Sequence, residues 1–200
     1  MARHIIRNLV RLPQRHDRAS HIGVVANTNG VLPPAALERL AGVDLILHAG
    51  DIGDASIITR LQAIAPVIAV AGDHDRRSRH PEYRILHVAG RRIALTHGHN
   101  LPVASHVLRL FQAGDTDLAD PHLIELLRIF PPVDGIVFAH PATACRVRVH
   151  DTLVFNPGCV APAGHVEAGS VGILTLGRYL DGSILQLGQP PASSAVLAPA

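Results

Sequence analysis

The chain has 200 residues, 48% apolar and 17% charged, enough for one domain with a buried core. Aromatics are 3% and the formal net charge is +2, so the core must be aliphatic, and the charge argues against nucleic acid as a partner. Two cysteines without a CxxC spacing, Cys145 and Cys159, argue against a disulfide framework and fit a reducing cytoplasm.

No run of about eighteen apolar residues is present to span a membrane, and no long apolar core follows the basic N-terminus to make a secretory signal. Residues 1–20 show no clear period and read as a loose basic leader. Arg3, Arg7, Arg11, Arg15 and Arg18 form the only basic cluster in this reading, a solvated arm with phosphate or partner binding as the alternative. A domain is expected over 21–188, followed by a Pro/Ala/Ser-rich disordered tail over 189–200.

Within that domain, "IGVVA" is a short apolar run suited to a strand buried on both faces. "PPAALERLAG" starts with proline and ends with glycine, the asymmetry of a helix. "VDLILHAG", "DASIITRLQAI" and "PVIAVAG" continue as strand, helix and strand, giving parallel βαβ units. "YRILHVAGRRIALTHG" reads as a hairpin around Ala89-Gly90-Arg91. Helices are expected in "LPVASHVLRLFQAG", ended by Gly114, and in "PHLIELLRIF", stopped by Pro131 and Pro132. The segment from Gly114 to Pro132 is placed as a cap over the site. "GIVFAH" is a strand, "RVRVHDTLVFNPG" a strand pair around His150-Asp151, and "SVGILTLG" with "SILQLG" a last pair around Asp181-Gly182. The fold class is α/β, two packed sheets with helices outside.

Polar residues collect where strands end. The first strand ends at Asn27 and Asn29, the second at His48 and Asp51, the third at Asp73, His74 and Asp75. The hairpin ends at His97 and His99, and a later strand at His140. Ligand sites in open α/β sheets lie beyond the carboxyl ends of the strands, and imidazole with carboxylate is the ligand chemistry of Zn, Fe or Mn. No P-loop, GxGxxG or nucleophile elbow is present; Ser56 and Ser105 sit in helical patterns, which argues against a serine triad.

The order "ANTNG", "HAGDI", "AGDHD", "THGH", "AHPA" and "NPGC" resembles the calcineurin-like metallophosphoesterases, in particular their small bacterial and archaeal phosphodiesterase branch. The resemblance covers residues 21–188 and implies a four-layer αββα sandwich holding two metals about 3.5–4 Å apart. It assigns the private ligands of the first metal to Asn27, Asn29 and Ala142, where relatives carry Asp, His and His. The second metal falls to Asp51, Asp73, His97 and His140, all able to bind, with Asp51 the shared ligand. The three losses spare the second site, and Asp73 restores the acid lost at Asn27. His74 matches the catalytic histidine, with Asp75 expected to orient it; His99 and Asn156 are second-layer or substrate-contacting candidates.

The implied function is metal-dependent hydrolysis of a phosphodiester or phosphomonoester with one intact metal site. The cofactor is a divalent ion, Mn, Zn or Fe, one per chain, with two as the alternative. The partner is a small phosphate-ester substrate, and a hairpin edge offers a surface for a homodimer. The competing reading is an inactive scaffold or ligand-binding protein with a protein partner; a subunit of eukaryotic membrane-coat assemblies resembles this fold and is regarded as a scaffold.

Overall fold

A computed structural model describes residues 6–10, 19–101, 121–161 and 169–188, with side chains excepted in 6–10 and 121–123. Eleven strands and three helices lie in this part of the chain: β1 (Ile6–Val10), β2 (Ser20–Val25), α1 (Pro34–Arg39), β3 (Leu45–His48), α2 (Ala55–Gln62), β4 (Val67–Ala69), β5 (Tyr83–Val88), β6 (Arg91–Thr96), α3 (Pro121–Ile129), β7 (Gly135–Val137), β8 (Cys145–Val149), β9 (Thr152–Asn156), β10 (Ser170–Leu176) and β11 (Leu180–Gln186). The helix expected in "LPVASHVLRLFQAG" beyond Leu101, residues 114–120 of the cap segment and the tail lie outside the described residues.

The strands form two mixed sheets. One has the order β1-β5-β6-β7-β9-β8, the other β11-β10-β2-β3-β4. The βα units appear as expected: β2, β3 and β4 are parallel neighbours, with Gly23 opposite Ile46 and Ile46 opposite Val67. Their side chains alternate between two cores, because successive residues of a strand face opposite ways. Leu45 and Leu47 join Leu86, Leu95, Val137 and Phe155 between the sheets. Ile46 turns outward to meet Ala36 and Leu40 from α1 and Ile57 and Leu61 from α2. On the far side, Leu126 of α3 packs with Ile85, Ala94 and Ile136. The layers are therefore helix, sheet, sheet, helix.

Local chemistry sets the element ends. Pro34 occupies the first turn of α1, where a missing N–H costs nothing. Asp54 caps α2, its Oδ1 accepting the Ser56 N–H at 2.8 Å. Ala89 and Gly90 both have positive φ, the backbone of a two-residue type I′ turn, and Val88 stands opposite Arg91.

Two expectations are corrected. Residues 6–10 of the expected loose leader form β1, an edge strand parallel to β5, with Ile6 opposite Arg84. Such a strand needs only one neighbour's backbone, and five residues bracketed by arginines are too few to display a period. The last hairpin turns at Gly177–Tyr179, with Leu176 opposite Leu180, and not at Asp181-Gly182, which lies inside β11. Gly182 serves packing there: a Cβ on it would lie 2.7 Å from Phe155 Cε2. Gly172 of β10 plays the same part, its added Cβ falling 2.4 Å from Phe155 Cε1. The fully buried Phe155 ring thus lies against bare backbone of the opposite sheet. Cys145 and Cys159 are free and buried, and burial pushes the Cys145 thiol up to about 12. Among the described residues no helix is long and apolar enough to cross a membrane.

His48, at the end of β3, is wholly buried. The Gly50 N–H donates to its Nδ1 at 3.3 Å, so its Nε2 carries the proton and donates to Thr28 Oγ1 at 3.0 Å. The Thr28 hydroxyl in turn donates to the Ile52 carbonyl at 2.9 Å. This chain requires a neutral ring, and burial pushes the imidazole down to about 3.

Two predictions concern the fold. Above about pH 6.5 His48 is neutral in both folded and unfolded chains; below it the unfolded chain takes a proton that the fold refuses, costing about 1.4 kcal/mol per pH unit until about pH 3. In urea unfolding with chelator present, His48→Gln should flatten the fall in stability between about pH 6 and pH 5 by that slope; an unchanged slope would place the acid sensitivity elsewhere. Gly172→Ala should destabilise by about 1–3 kcal/mol because the ring cannot yield, whereas Gly177→Ala, whose nearest contact is Tyr179 O at 4.0 Å, should stay within about 0.5 kcal/mol.

Candidate metal centre

The parallel order β2-β3-β4 delivers three loops to one edge of the five-stranded sheet. The first two are tied by backbone: Asn27 N–H donates to Gly50 O at 3.0 Å, Asn29 N–H to Asp51 O at 2.9 Å, and Gly30 N–H to Ile52 O at 2.9 Å. The third is tied by Asp75. Its carboxylate accepts from the N–H groups of Ile52 at 2.9 Å, Gly53 at 3.1 Å and Gly72 at 2.9 Å. Burial works against its ionisation, but the N–H groups of Gly72, Gly53 and Ile52 outweigh it and hold the carboxyl below its usual range. Asp75 therefore fastens loops rather than orienting His74, as the sequence had suggested.

That orientation comes from Asp51. Its Oδ2 lies 2.6 Å from His74 Nδ1, and its Oδ1 accepts the His74 N–H at 3.1 Å. The hydrogen bond to Asp51 raises the affinity of His74 for a proton, and the ring stays 71% exposed. Asp51 itself is buried and has φ +55°. It approaches the third loop so closely that a Cβ on Gly72 would lie 2.0 Å from its Oδ1, which explains the glycine of "AGD".

The other sheet supplies the histidines. His97 follows β6 and is fully buried; its Nδ1 donates to Ala49 O at 2.8 Å. The lone pair of Nε2 then faces Asp73 Oδ1 at 3.1 Å and Asp51 Oδ2 at 3.5 Å. This Nε2 is buried with no hydrogen-bond partner, and burial depresses its basicity. His140, after β7, brings Nδ1 to 3.4 Å from the same Asp73 oxygen. Donor atoms of Asp73, His97 and His140 lie within 4.8 Å of one another, as do those of Asp51, Asp73 and His74. Ligands at 2.0–2.1 Å around a tetrahedral ion stand about 3.3 Å apart, so the separations fit a divalent ion. A neutral buried imidazole with an unused lone pair is the donor such an ion requires. Burial opposes the ionisation of Asp73, yet its own backbone N–H and the histidines around it hold its carboxyl below the usual range.

The remaining candidates sit around this centre. Asn156 donates from Nδ2 to Ala139 O at 3.3 Å and Pro141 O at 2.7 Å, which fixes the loop bearing His140. His99 stacks obliquely on His97 with centroids 5.5 Å apart. Asn27 is buried, with Nδ2 3.5 Å from Ala139 O and a buried Oδ1 without a partner. Asn29 and Ala142 are exposed. Asn27 and Asn29 have φ of +52° and +45°, a region asparagine tolerates better than most residues.

A second basic cluster, overlooked beside the N-terminal arginines, lies immediately after the third motif. Arg76, Arg77 and Arg79 line a cleft of about 650 Å³ that also borders His74 and the start of α2. Three arginines within four residues of a ligand loop were the available signal.

Comparison with known proteins identifies the family. The calcineurin-like phosphoesterase superfamily domain matches residues 20–178. A probable metallophosphoesterase of Methanothermobacter thermautotrophicus is 27% identical over 180 residues, spanning 86% of this chain and 96% of its own. Among solved structures, a Zn-bound Vps29 of Entamoeba histolytica superposes with TM-score 0.60 at 17% identity, covering 84% of this chain and 99% of that one. A structure described as a novel archaeal phosphodiesterase gives TM-score 0.58 at 19% identity over 83% and 98% of the two chains. The chain belongs to the calcineurin-like phosphoesterase superfamily.

Proposed function

We propose that the protein hydrolyses a phosphate ester with a single tightly held divalent ion. The observation that carries this reading is the partnerless, buried Nε2 of His97 facing Asp73 and Asp51. Asp51, Asp73, His97 and His140 would hold the ion; two carboxylates and two neutral imidazoles balance its charge. When bound, a divalent ion polarises a phosphoryl oxygen and lowers the pKa of water.

The protein's own groups then handle the leaving oxygen. His74, hydrogen-bonded through Nδ1 to Asp51, favours its protonated form, and its exposed ring can present Nε2–H to the substrate. As water forms a new P–O bond and the ester P–O bond breaks, that proton passes to the departing oxygen and the proton of water leaves to solvent. Asp51, through its hydrogen bond to Nδ1, fixes the orientation of the ring. Asp75 keeps Asp51, Asp73 and His74 in register by holding their loops together. Asn156 performs the same service for His140.

A second reading, a binding protein that uses this fold without catalysis, draws on Asn27, Asn29 and Ala142, which remove three metal-binding side chains expected from the family pattern. Metal content and turnover separate the two. Protein purified without chelator and titrated with Mn or Zn should hold about one ion per chain and hydrolyse a model phosphodiester; a metal-free, inert chain would favour the binding protein.

His97→Ala or His140→Ala should abolish metal retention in elemental analysis of folded protein, and full retention by either would overturn the ligand assignment. Asn27→Asp with Asn29→His and Ala142→His should raise the stoichiometry toward about two and increase turnover by about tenfold or more, since a second ion can clamp the opposite oxygen. Unchanged stoichiometry in the folded triple variant would count against selective loss of the first site.

A further inference from the structure

The cleft beside His74 has two unlike walls. Ala55, Ile58 and Thr59 of α2 make one, largely apolar; the loop carrying Arg76, Arg77 and Arg79 makes the other. Its volume of about 650 Å³ lies within the ~300–1,000 Å³ typical of small-molecule sites. The three arginines are exposed and form no ion pair with any described residue. Two carboxylates border the same space, but both are already engaged: Asp54 by the Ser56 N–H and Asp75 by Ile52, Gly53 and Gly72. Both carboxylates stay charged, so three guanidinium groups against two carboxylates leave a formal surplus of one positive charge, carried by planar groups suited to paired hydrogen bonds with phosphate and to stacking on flat rings.

His74 borders both this cleft and Asp51 of the metal centre. An ester whose leaving oxygen meets His74 must extend its departing portion away from the ion. We propose that the cleft receives that portion and that it carries a second phosphate, so the preferred substrate is a phosphate ester with a ring-bearing, phosphorylated leaving group, as in a nucleoside bisphosphate. This rests on the hydrolase reading for the phosphate at the metal centre, while the cleft itself stands on the arginines. The apolar wall takes the ring, and the arginines take the distal phosphate.

The test uses the full chain, with and without Mn, and measures calorimetric binding of adenosine, adenosine 5′-monophosphate and adenosine 3′,5′-bisphosphate. The comparison is the folded variant Arg76→Ser, Arg77→Ser, Arg79→Ser, whose Mn stoichiometry should match the unmodified protein. With Mn, the unmodified protein should bind the bisphosphate at least about tenfold more tightly than the monophosphate, the margin expected from one added charge-assisted grip. The variant should lose that margin. Without Mn, the monophosphate should keep an arginine-dependent advantage over adenosine. Equal binding of all ligands by variant and unmodified protein overturns the subsite. If the arginine dependence holds but Mn changes neither binding nor turnover, the subsite stands and the metal-hydrolase reading falls.

Discussion

Asp75 is the constraint on which the site depends. One carboxylate draws three backbone N–H groups from two loops onto itself, and each of those loops carries part of the chemistry. The loop after β3 bears Asp51; the loop after β4 bears Asp73 and His74. Without an anion at their junction, three inward-pointing N–H groups would crowd together unsatisfied, a costly arrangement in a partly buried place. With it, Asp51 can reach across the side-chain-free backbone at Gly72 and still meet His74. The positioning of the ligands is thus bought by a group that touches neither metal nor substrate.

The two asparagines of "ANTNG" acquire a physical meaning from the backbone. Both lie in the left-handed region, which disfavours most residues but admits Asn, Asp and His. Amides at both positions therefore suit the path of the loop and leave its rim without a charged side chain there. Asp73 supplies negative charge on the other side, next to His97 and His140. The anionic side of the site thus lies close to the histidines that come from the opposite sheet.

Much of this was readable in the chain because it is local. The βα units over β2 to β4 follow from apolar runs punctuated by proline and glycine, and the β5–β6 turn from Ala89-Gly90. The strand-end reading also singled out Asp51, Asp73, His97 and His140, and it was the resemblance to the metallophosphoesterases that grouped them as one expected ligand set. What escaped was non-local. Asp75 acts through N–H groups more than twenty residues away for two of its three contacts, which no spacing rule registers. Asp181-Gly182 has the composition of a turn, yet Gly182 is small because Phe155 of the other sheet lies over it. Ile6–Val10 looked structureless because its partner, β5, begins more than seventy residues later. The arginines after "AGDHD" were in plain view, but only folding places them across a cleft from α2.

The proposed ligand set draws on both sheets. Asp51 and Asp73 belong to loops of the five-stranded sheet, while His97 and His140 belong to loops of the six-stranded sheet, and the Ala49–His97 hydrogen bond crosses between them. An ion gripped by all four side chains, as proposed, would be a rivet through both layers. Its binding energy would then add to the cohesion of the sandwich itself, so that occupancy of the centre and resistance of the two sheets to separation would be thermodynamically linked.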